Sequence, residues 1–251
     1  MLELATNDSL PVLLPFCEGK LLGTYLACRA RCYKADYDFV RIWTAYDGGV
    51  TAAVGAMDST AIVLADATAD FEELGCFLAM QGFSSVMTDE TTAARCGLTV
   101  RQTKTAFRFT GRIPPEQNAV SDADMQSVYH LIAESIPGSF AGTKEAYLRF
   151  LSDFTFRKNR GAARMCAVTE GDAVLATALT AAETDTAAVI SGVAVRASER
   201  GKGYGKRVVR AMLRALALDG KTADVIALNP SAEAFYRALG FAELQKICDC
   251  N

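Results

Sequence analysis

Residues Val193 to Val209 read VAVRASERGKGYGKRVV. The stretch opens on small and β-branched apolar residues that end at Val195. It passes through Arg200-Gly201-Lys202-Gly203-Tyr204-Gly205 and enters a helical pattern at once. Val208, Val209, Met212, Leu213 and Leu216 recur with the helical period, and Arg207, Arg210 and Arg214 fall off that stripe. A strand, a glycine-rich turn and a helix start together make a local anion site. The first N–H groups of a helix have no partner inside it, and the macrodipole places about half a positive charge there. Glycine lets the backbone come close to an anion with no Cβ in the way. Arg200, Lys202 and Lys206 add charge at the same place. The spacing excludes two familiar nucleotide loops. No Gly-Lys-Ser/Thr follows four intervening residues, and no G-x-G-x-x-G occurs. Taken alone, the turn also reads as an ordinary helix start dressed with solvated basic residues.

Composition restricts what such a site can serve. The chain has 251 residues, 51% of them hydrophobic and 22% charged, which describes a globular protein without long disorder. With 26 Lys+Arg against 29 Asp+Glu, the formal net charge is -3. No global positive field draws the chain to nucleic acid or to an anionic membrane, so an anion must be bound locally. The segment MLELATNDSLPVLLPFCEGK shows no basic n-region, and no run reaches the ~18 apolar residues of a membrane span. The expectation is a cytoplasmic protein. The 8 cysteines are Cys17, Cys28, Cys32, Cys76, Cys96, Cys166, Cys248 and Cys250, and the single histidine is His130. That set lacks the spacing of a four-ligand zinc site, so the expectation is buried, reduced thiols and no metal.

Working outward from Val193, the chain reads as two unequal copies of one pattern. Arg41 to Asp66 and Arg164 to Gly192 each give strand, tight turn, strand, polar turn, strand. The tight turns are Asp47-Gly48-Gly49 and Glu170-Gly171-Asp172, where glycine supplies a positive φ. The polar turns are Met57-Asp58-Ser59 and Glu183-Thr184-Asp185. A helical segment follows in each, short from Asp70 to Gly82 and long from Gly203 to Gly220, and then a strand and a small helix that stops at Gly97 or Gly240. A boundary falls near Gly111 to Val120, where Pro114-Pro115 can continue neither a helix nor a central strand. Ser121 reads as an N-cap, with Met125, Val128, Tyr129 and Ile132 on one buried face. A second helix starts after Thr143, with Tyr147, Leu148, Leu151 and Phe154 turned inward. The expected fold is a mixed α/β class with a mostly antiparallel central sheet flanked by helices, divided as 1–112 and 113–251.

The segment Asn229-Pro230-Ser231-Ala232-Glu233-Ala234-Phe235-Tyr236-Arg237-Ala238-Leu239-Gly240-Phe241 completes the pattern. Pro230 suits a helix start and Gly240 its stop. Together the two segments resemble the GNAT superfamily of acyl-CoA-dependent N-acyltransferases. Its motif A, R/Q-x-x-G-x-G/A after an apolar strand, is matched at Arg200, Gly203 and Gly205. Its motif B is matched at Asn229, Ala232, Tyr236, Gly240 and Phe241. The resemblance covers Ser121 to the C-terminus. The first half resembles a degenerate second copy, without the glycine turn and without the tyrosine in Thr88 to Leu98, and is expected to bind no CoA.

The resemblance implies acetyl-CoA as co-substrate. Backbone amides of Arg200, Gly201, Lys202, Gly203, Tyr204, Gly205 and Lys206 would hold its pyrophosphate. Val193, Ala194 and Val195 would pair with the pantetheine arm, Asn229 would bond the cofactor's amides or the helix start, and Ala232 and Tyr236 would also line the cofactor. Gly192 fits either a bulge aiming an N–H at the thioester or plain close packing. Tyr236 would act as general acid on the leaving thiolate. Many relatives carry a Glu on the strand before motif A, and Ala187 to Gly192 has no carboxylate. The base is left open among Glu183, Glu134 and His130, acting through water. Ile136, Pro137, Ser139 and Phe140 would wall the acceptor site. The implied activity is transfer of an acetyl group to a primary amine of a small molecule, or of a peptide. A catalytically silent CoA-binding or sensing module and an interaction scaffold are the alternatives. No nucleic-acid or membrane partner is implied, and a homodimer is compatible with the sequence.

Overall fold

A computed structural model describes residues 1–115, 119, 122–136, 138 and 140–251. In chain order the elements are β1 (Glu3–Leu4), α1 (Leu10–Cys17), α2 (Leu21–Tyr33), β2 (Val40–Tyr46), β3 (Val50–Met57), β4 (Thr60–Ala65), α3 (Phe71–Gln81), β5 (Ser85–Asp89), α4 (Glu90–Arg95) and β6 (Val100–Phe109). There follow α5 (Met125–Ser135), α6 (Lys144–Lys158), β7 (Met165–Glu170), β8 (Ala173–Glu183), β9 (Ala187–Val195), α7 (Tyr204–Leu218), β10 (Thr222–Ala227), α8 (Pro230–Ala238) and β11 (Phe241–Cys250). The chain forms two compact units. One comprises Met1–Phe107, Ile226–Ala234 and Glu243–Asn251, and the other Arg108–Val225 and Phe235–Ala242. No helix among the described residues is long and apolar enough to cross a membrane.

In the first unit the strand order is β1-β2-β3-β4-β5-β11. The pairs from β1 to β4 are antiparallel, as the turns at Asp47–Gly49 and Met57–Ser59 require, and Gly48 has φ +67. β4 and β5 are parallel, with α3 as the crossover between them. β11 then runs antiparallel to β5, setting Cys250 beside Val86 and Ile247 beside Asp89. Val54, Val63, Leu74, Val86, Cys248 and Cys250 lie in its core, together with Trp43.

The second unit repeats the plan with the order β10-β9-β8-β7. β7, β8 and β9 form the antiparallel meander, and β10 returns parallel to β9 after α7. The apolar stripe of α7 is buried as its spacing predicts, at Val208, Val209, Met212, Leu213 and Leu216. Fully burying side chains of this size stabilises by about 1.5–3 kcal/mol each. Helices α5 and α6 bring Val128, Ile132 and Phe154 onto Met165, Ala167 and Leu179. The cap of α5 is Asp124, which accepts from the Ser127 amide at 2.8 Å, whereas Ser121, the expected cap, lies outside the described residues. Thr143 caps α6 as expected, accepting from the Ala146 amide. Leu148, expected to face inward, is instead 49% exposed.

None of the eight described cysteines is in a disulfide, and six of them are buried; Cys76 is exposed, against the expectation. Burial pushes Cys17 up to about 12 and Cys166 up to about 11, so both stay protonated and inert at neutral pH. Among the described residues, no group of three or more His, Cys, Asp or Glu side chains is arranged to hold a metal ion.

Candidate active site

The glycine turn leads directly into α7. Gly201 has φ +81 and Gly203, the N-cap of α7, has φ +86, a conformation costly for any residue with a Cβ. A Cβ at either position would meet nothing within 4 Å, so the space beside the turn is open. The first backbone bond into the helix runs from Arg207 N–H to the Gly203 carbonyl, 3.1 Å. Among the described residues, none accepts from the backbone N–H of Gly201, Lys202, Gly203, Tyr204, Gly205 or Lys206. These unpaired donors sit at the positive end of a 15-residue helix, the condition for seating an anion. Lys202 is exposed and pairs with Glu199 at 3.0 Å, and that hydrogen bond and charge raise its pKa. Arg200 folds back, its Nε 3.4 Å from the Val195 carbonyl.

β9 supplies the second part. Its parallel ladder with β10 runs from Thr222↔Ala187 to Val225↔Ile190 and goes no further. Among the described residues, no strand pairs with Ser191 to Val195 on that side. Ser191, Gly192, Val193 and Val195 are half-buried, and Ala194 is buried. On the other side, Thr177 pairs with Ala194 and Leu179 with Ser191, so Gly192 and Val193 together face one residue, Ala178. This is a β-bulge, with Gly192 at φ +57. A Cβ on Gly192 would also lie 3.0 Å from Ile132 and 3.1 Å from Leu179, so the bulge and close packing both require glycine.

α8 supplies the third part. Asn229 Oδ1 accepts from the Ala232 amide at 2.9 Å, so Asn229 bonds the helix start. Ala232 is half-buried on the first turn of that helix. At the other end, Tyr236 is 6% exposed, its ring edge-on to Phe235 at 5.2 Å and to Phe241 at 5.4 Å. Burial pushes its phenol well above the usual tyrosine range, which keeps it protonated and able to donate. Gly205 is the meeting point: a Cβ there would touch Val195 at 3.3 Å and Phe235 at 3.6 Å. The end of β9, the start of α7 and the last turn of α8 thus converge.

The candidate bases fall elsewhere. Glu183 is 2% exposed and accepts from Arg164 Nε at 3.0 Å, from Arg164 Nη2 and from Lys221 Nζ at 2.6 Å. Arg164 also holds Asp219 at 2.6 Å. Glu183 pairs with Ala188, so it lies roughly 20 Å from Val195 along β9. The network ties the far ends of β8 and β10 to α7. His130 and Glu134 are exposed on α5. In the expected acceptor wall, Pro137 and Ser139 lie outside the described residues. Phe140 stacks on Tyr129, centroids 4.6 Å apart, and the Tyr129 hydroxyl donates to the Ala141 carbonyl at 2.6 Å.

Two residues of this site escape sequence reading. Ser135 Oγ reaches the Val195 carbonyl at 3.4 Å, and Phe235 packs beside Gly205. The only signal was position, one at the end of α5 and the other next to Tyr236.

A bulged strand released from its parallel neighbour, ahead of a glycine turn and a helix start, defines the acyl-CoA N-acyltransferase fold. Residues 125–241 match the sequence model described as "Acetyltransferase (GNAT) family". That match covers 125–241, within the second half of the chain. Its whole length carries the tandem form of the fold. It is similar to a tandem GNAT protein from the clavulanic acid biosynthesis pathway, with TM-score 0.65, 14% identity and coverage of 100% of this chain and 98% of that one. It is also similar to a GCN5-related N-acetyltransferase from Sphaerobacter thermophilus, with TM-score 0.61, 15% identity and coverage of 100% and 94%. An acetyltransferase of the GNAT family from Colwellia psychrerythraea gives TM-score 0.58, 13% identity and coverage of 99% and 98%. No curated protein matches the chain.

Proposed function

We propose that the chain is an acyl-CoA-dependent N-acyltransferase that moves an acetyl group from acetyl-CoA to a primary amine by direct attack. The observation that carries this reading is the ladder that stops at Ile190 while β9 runs on to Val195, just ahead of the unpaired N–H groups of the α7 start. A pantetheine arm has the amide spacing to pair with a free strand edge, and a diphosphate has the charge to sit on the helix end. The turn from Gly201 to Lys206 holds the diphosphate. The bulge at Gly192 and Val193 frees backbone groups beside the thioester carbonyl, where negative charge grows during attack.

In the reaction the amine nitrogen bonds to the carbonyl carbon and the carbon–sulfur bond breaks. Tyr236 gives its phenol proton to the leaving thiolate. The acceptor's surplus proton passes to water, and solvent returns a proton to the Tyr236 phenolate. Glu183 is left out, because Arg164 and Lys221 neutralise it at the far end of β9. The division into two copies at 1–112 and 113–251 belongs to this proposal.

The test is a screen of primary amines with acetyl-CoA, reading free thiol. Tyr236→Phe is expected to lower turnover ~100-fold or more, within the usual range for losing an acid–base group, with acetyl-CoA affinity nearly unchanged. Because burial raises the phenol's pKa, Tyr236 should contribute no alkaline fall in kcat below about pH 10. An equal loss of turnover and affinity would make Tyr236 structural. One observation favours a second reading: β9 carries no carboxylate ahead of the turn. Acetyl-CoA binding with no thiol release from any amine would establish a silent CoA-binding module.

A further inference from the structure

The family match begins at residue 125, yet the second compact unit begins at Arg108. Residues 108–111 therefore deserve a reason for belonging to it, and the contacts supply one. α8 ends in a turn where Leu239 N–H bonds the Tyr236 carbonyl at 3.0 Å and Gly240 N–H bonds the Arg237 carbonyl at 3.1 Å. Gly240 itself sits at φ +94, and its own carbonyl is not used within the helix end. That carbonyl accepts from Thr110 N–H at 3.1 Å and from Thr110 Oγ1 at 3.3 Å. The two backbones touch here, since a Cβ on Gly240 would lie 3.3 Å from Gly111 Cα. Beside this clasp the rings form a series. Phe109 is edge-on to Phe241 at 5.3 Å, and Phe241 is edge-on to Tyr236 at 5.4 Å. Upstream, Arg108 makes two 2.7 Å bonds to Asp224, whose carboxylate is buried in β10.

We propose that Phe109, Thr110 and Gly111 are positioning residues for Tyr236, so that the segment joining the two copies aims the phenol of the second. The inference rests on Tyr236 being the acid. Thr110 fixes where α8 stops, and Phe109, through Phe241, fixes the tilt of the Tyr236 ring. A small angular error at a proton donor is costly, because transfer needs the donor within hydrogen-bond reach of the sulfur.

Two variants test this without removing the segment. Phe109→Leu keeps an apolar side chain but ends the ring series. Gly111→Ala keeps Phe109 but places a Cβ 2.8 Å from its ring, forcing the ring to move. The full chain is labelled with 3-fluorotyrosine, and the Tyr236 19F line is identified by its loss in Tyr236→Phe. Both variants should shift or broaden that line more than any other tyrosine line. With the best amine from the screen, both should lower kcat about 10-fold at unchanged acetyl-CoA affinity. In a Tyr236→Phe background neither should lower it further. Phe109→Tyr, which keeps the ring, should restore most of the loss. An unmoved Tyr236 line, or the same fall in the Tyr236→Phe background, overturns the positioning role alone. Wild-type turnover in Tyr236→Phe itself removes the acid, and this role with it.

Discussion

Gly203→Ala separates the two things that the glycine turn does. At φ +86 an alanine pays for a left-handed backbone, about 1–2 kcal/mol. It pays nothing for packing, because its Cβ meets no atom within 4 Å. For a chain of this size that stability loss lowers Tm by roughly 2–8 °C and leaves the fold intact. Binding should suffer more. The new methyl stands in the open space beside the N–H row and holds the diphosphate off. Losing one charge-assisted bond costs about 1.5–3 kcal/mol, or about 10- to 100-fold in Kd. Calorimetry with acetyl-CoA measures this. Calorimetry with acetyl-pantetheine, which lacks the diphosphate, supplies the control and should give an unchanged Kd. Gly203→Val should move both numbers in the same direction and further, since β-branched residues tolerate positive φ least. Equal losses for the two ligands, or no loss for acetyl-CoA, would place the diphosphate somewhere other than the start of α7.

Arg108→Ala should destabilise the chain by about 3–5 kcal/mol in urea titration, because it strands the buried Asp224 carboxylate; a loss under about 1 kcal/mol would mean that water reaches Asp224. Asp124→Ala should cost about 0.5–2 kcal/mol as a lost N-cap. The Ser127 hydroxyl and amide hold the Asp124 carboxyl below its usual range, so its contribution is present above its unfolded pKa of about 3.9 and fades as pH falls through the lower folded value. The gap between wild type and Asp124→Ala should therefore be flat from about pH 5 to 7 and close on acidification; a gap that widened in acid would contradict the cap. Calorimetry should also find one acetyl-CoA per chain, and a second equivalent of similar affinity would show that the first copy binds as well.

The sequence made most of the local structure legible. Glycine marks the turns because few other residues accept φ near +67 or +86, so Gly48 and Gly203 could be read directly. The stripe of α7 was readable because burial selects one face of a regular helix. The bulge at Gly192 had two readings, and the structure gives both. What stayed hidden depends on distant partners. Glu183 looks like a free carboxylate at a polar turn until Arg164 and Lys221, just ahead of β7 and β10, close on it. Gly240 reads as a helix stop, and nothing local says that Thr110 will hold its carbonyl. α1 was missed because Pro11 and Pro15 break the pattern of LPVLLPFC, although proline at a helix start is well tolerated. Leu148 kept the right period but faces solvent, since periodicity fixes a face and not its coverage.

The two copies share a strand plan and differ where the second carries the proposed site. In the second, the parallel ladder stops at Ile190 and the next residues of β9 are half-buried. In the first, the equivalent ladder stops at Ile62↔Met87, but the seam is then closed. Thr88 Oγ1 donates to the Val63 carbonyl at 3.0 Å, and both residues are fully buried. The helix starts differ in charge as well. α3 begins with Asp70, whose carboxylate accepts from the Glu73 amide, and Glu72 and Glu73 follow in its first turn. Asp66 just before it takes the Thr68 amide and hydroxyl. The donors that a diphosphate would need are already spent on carboxylates, and those carboxylates would repel it. No glycine lies between Ala65 and Phe71 to bring the backbone closer. The proposal that the second copy alone holds the cofactor therefore needs no damage to the first copy's core: one hydroxyl fills the strand seam, a few acids line the helix start, and the sheet stays whole.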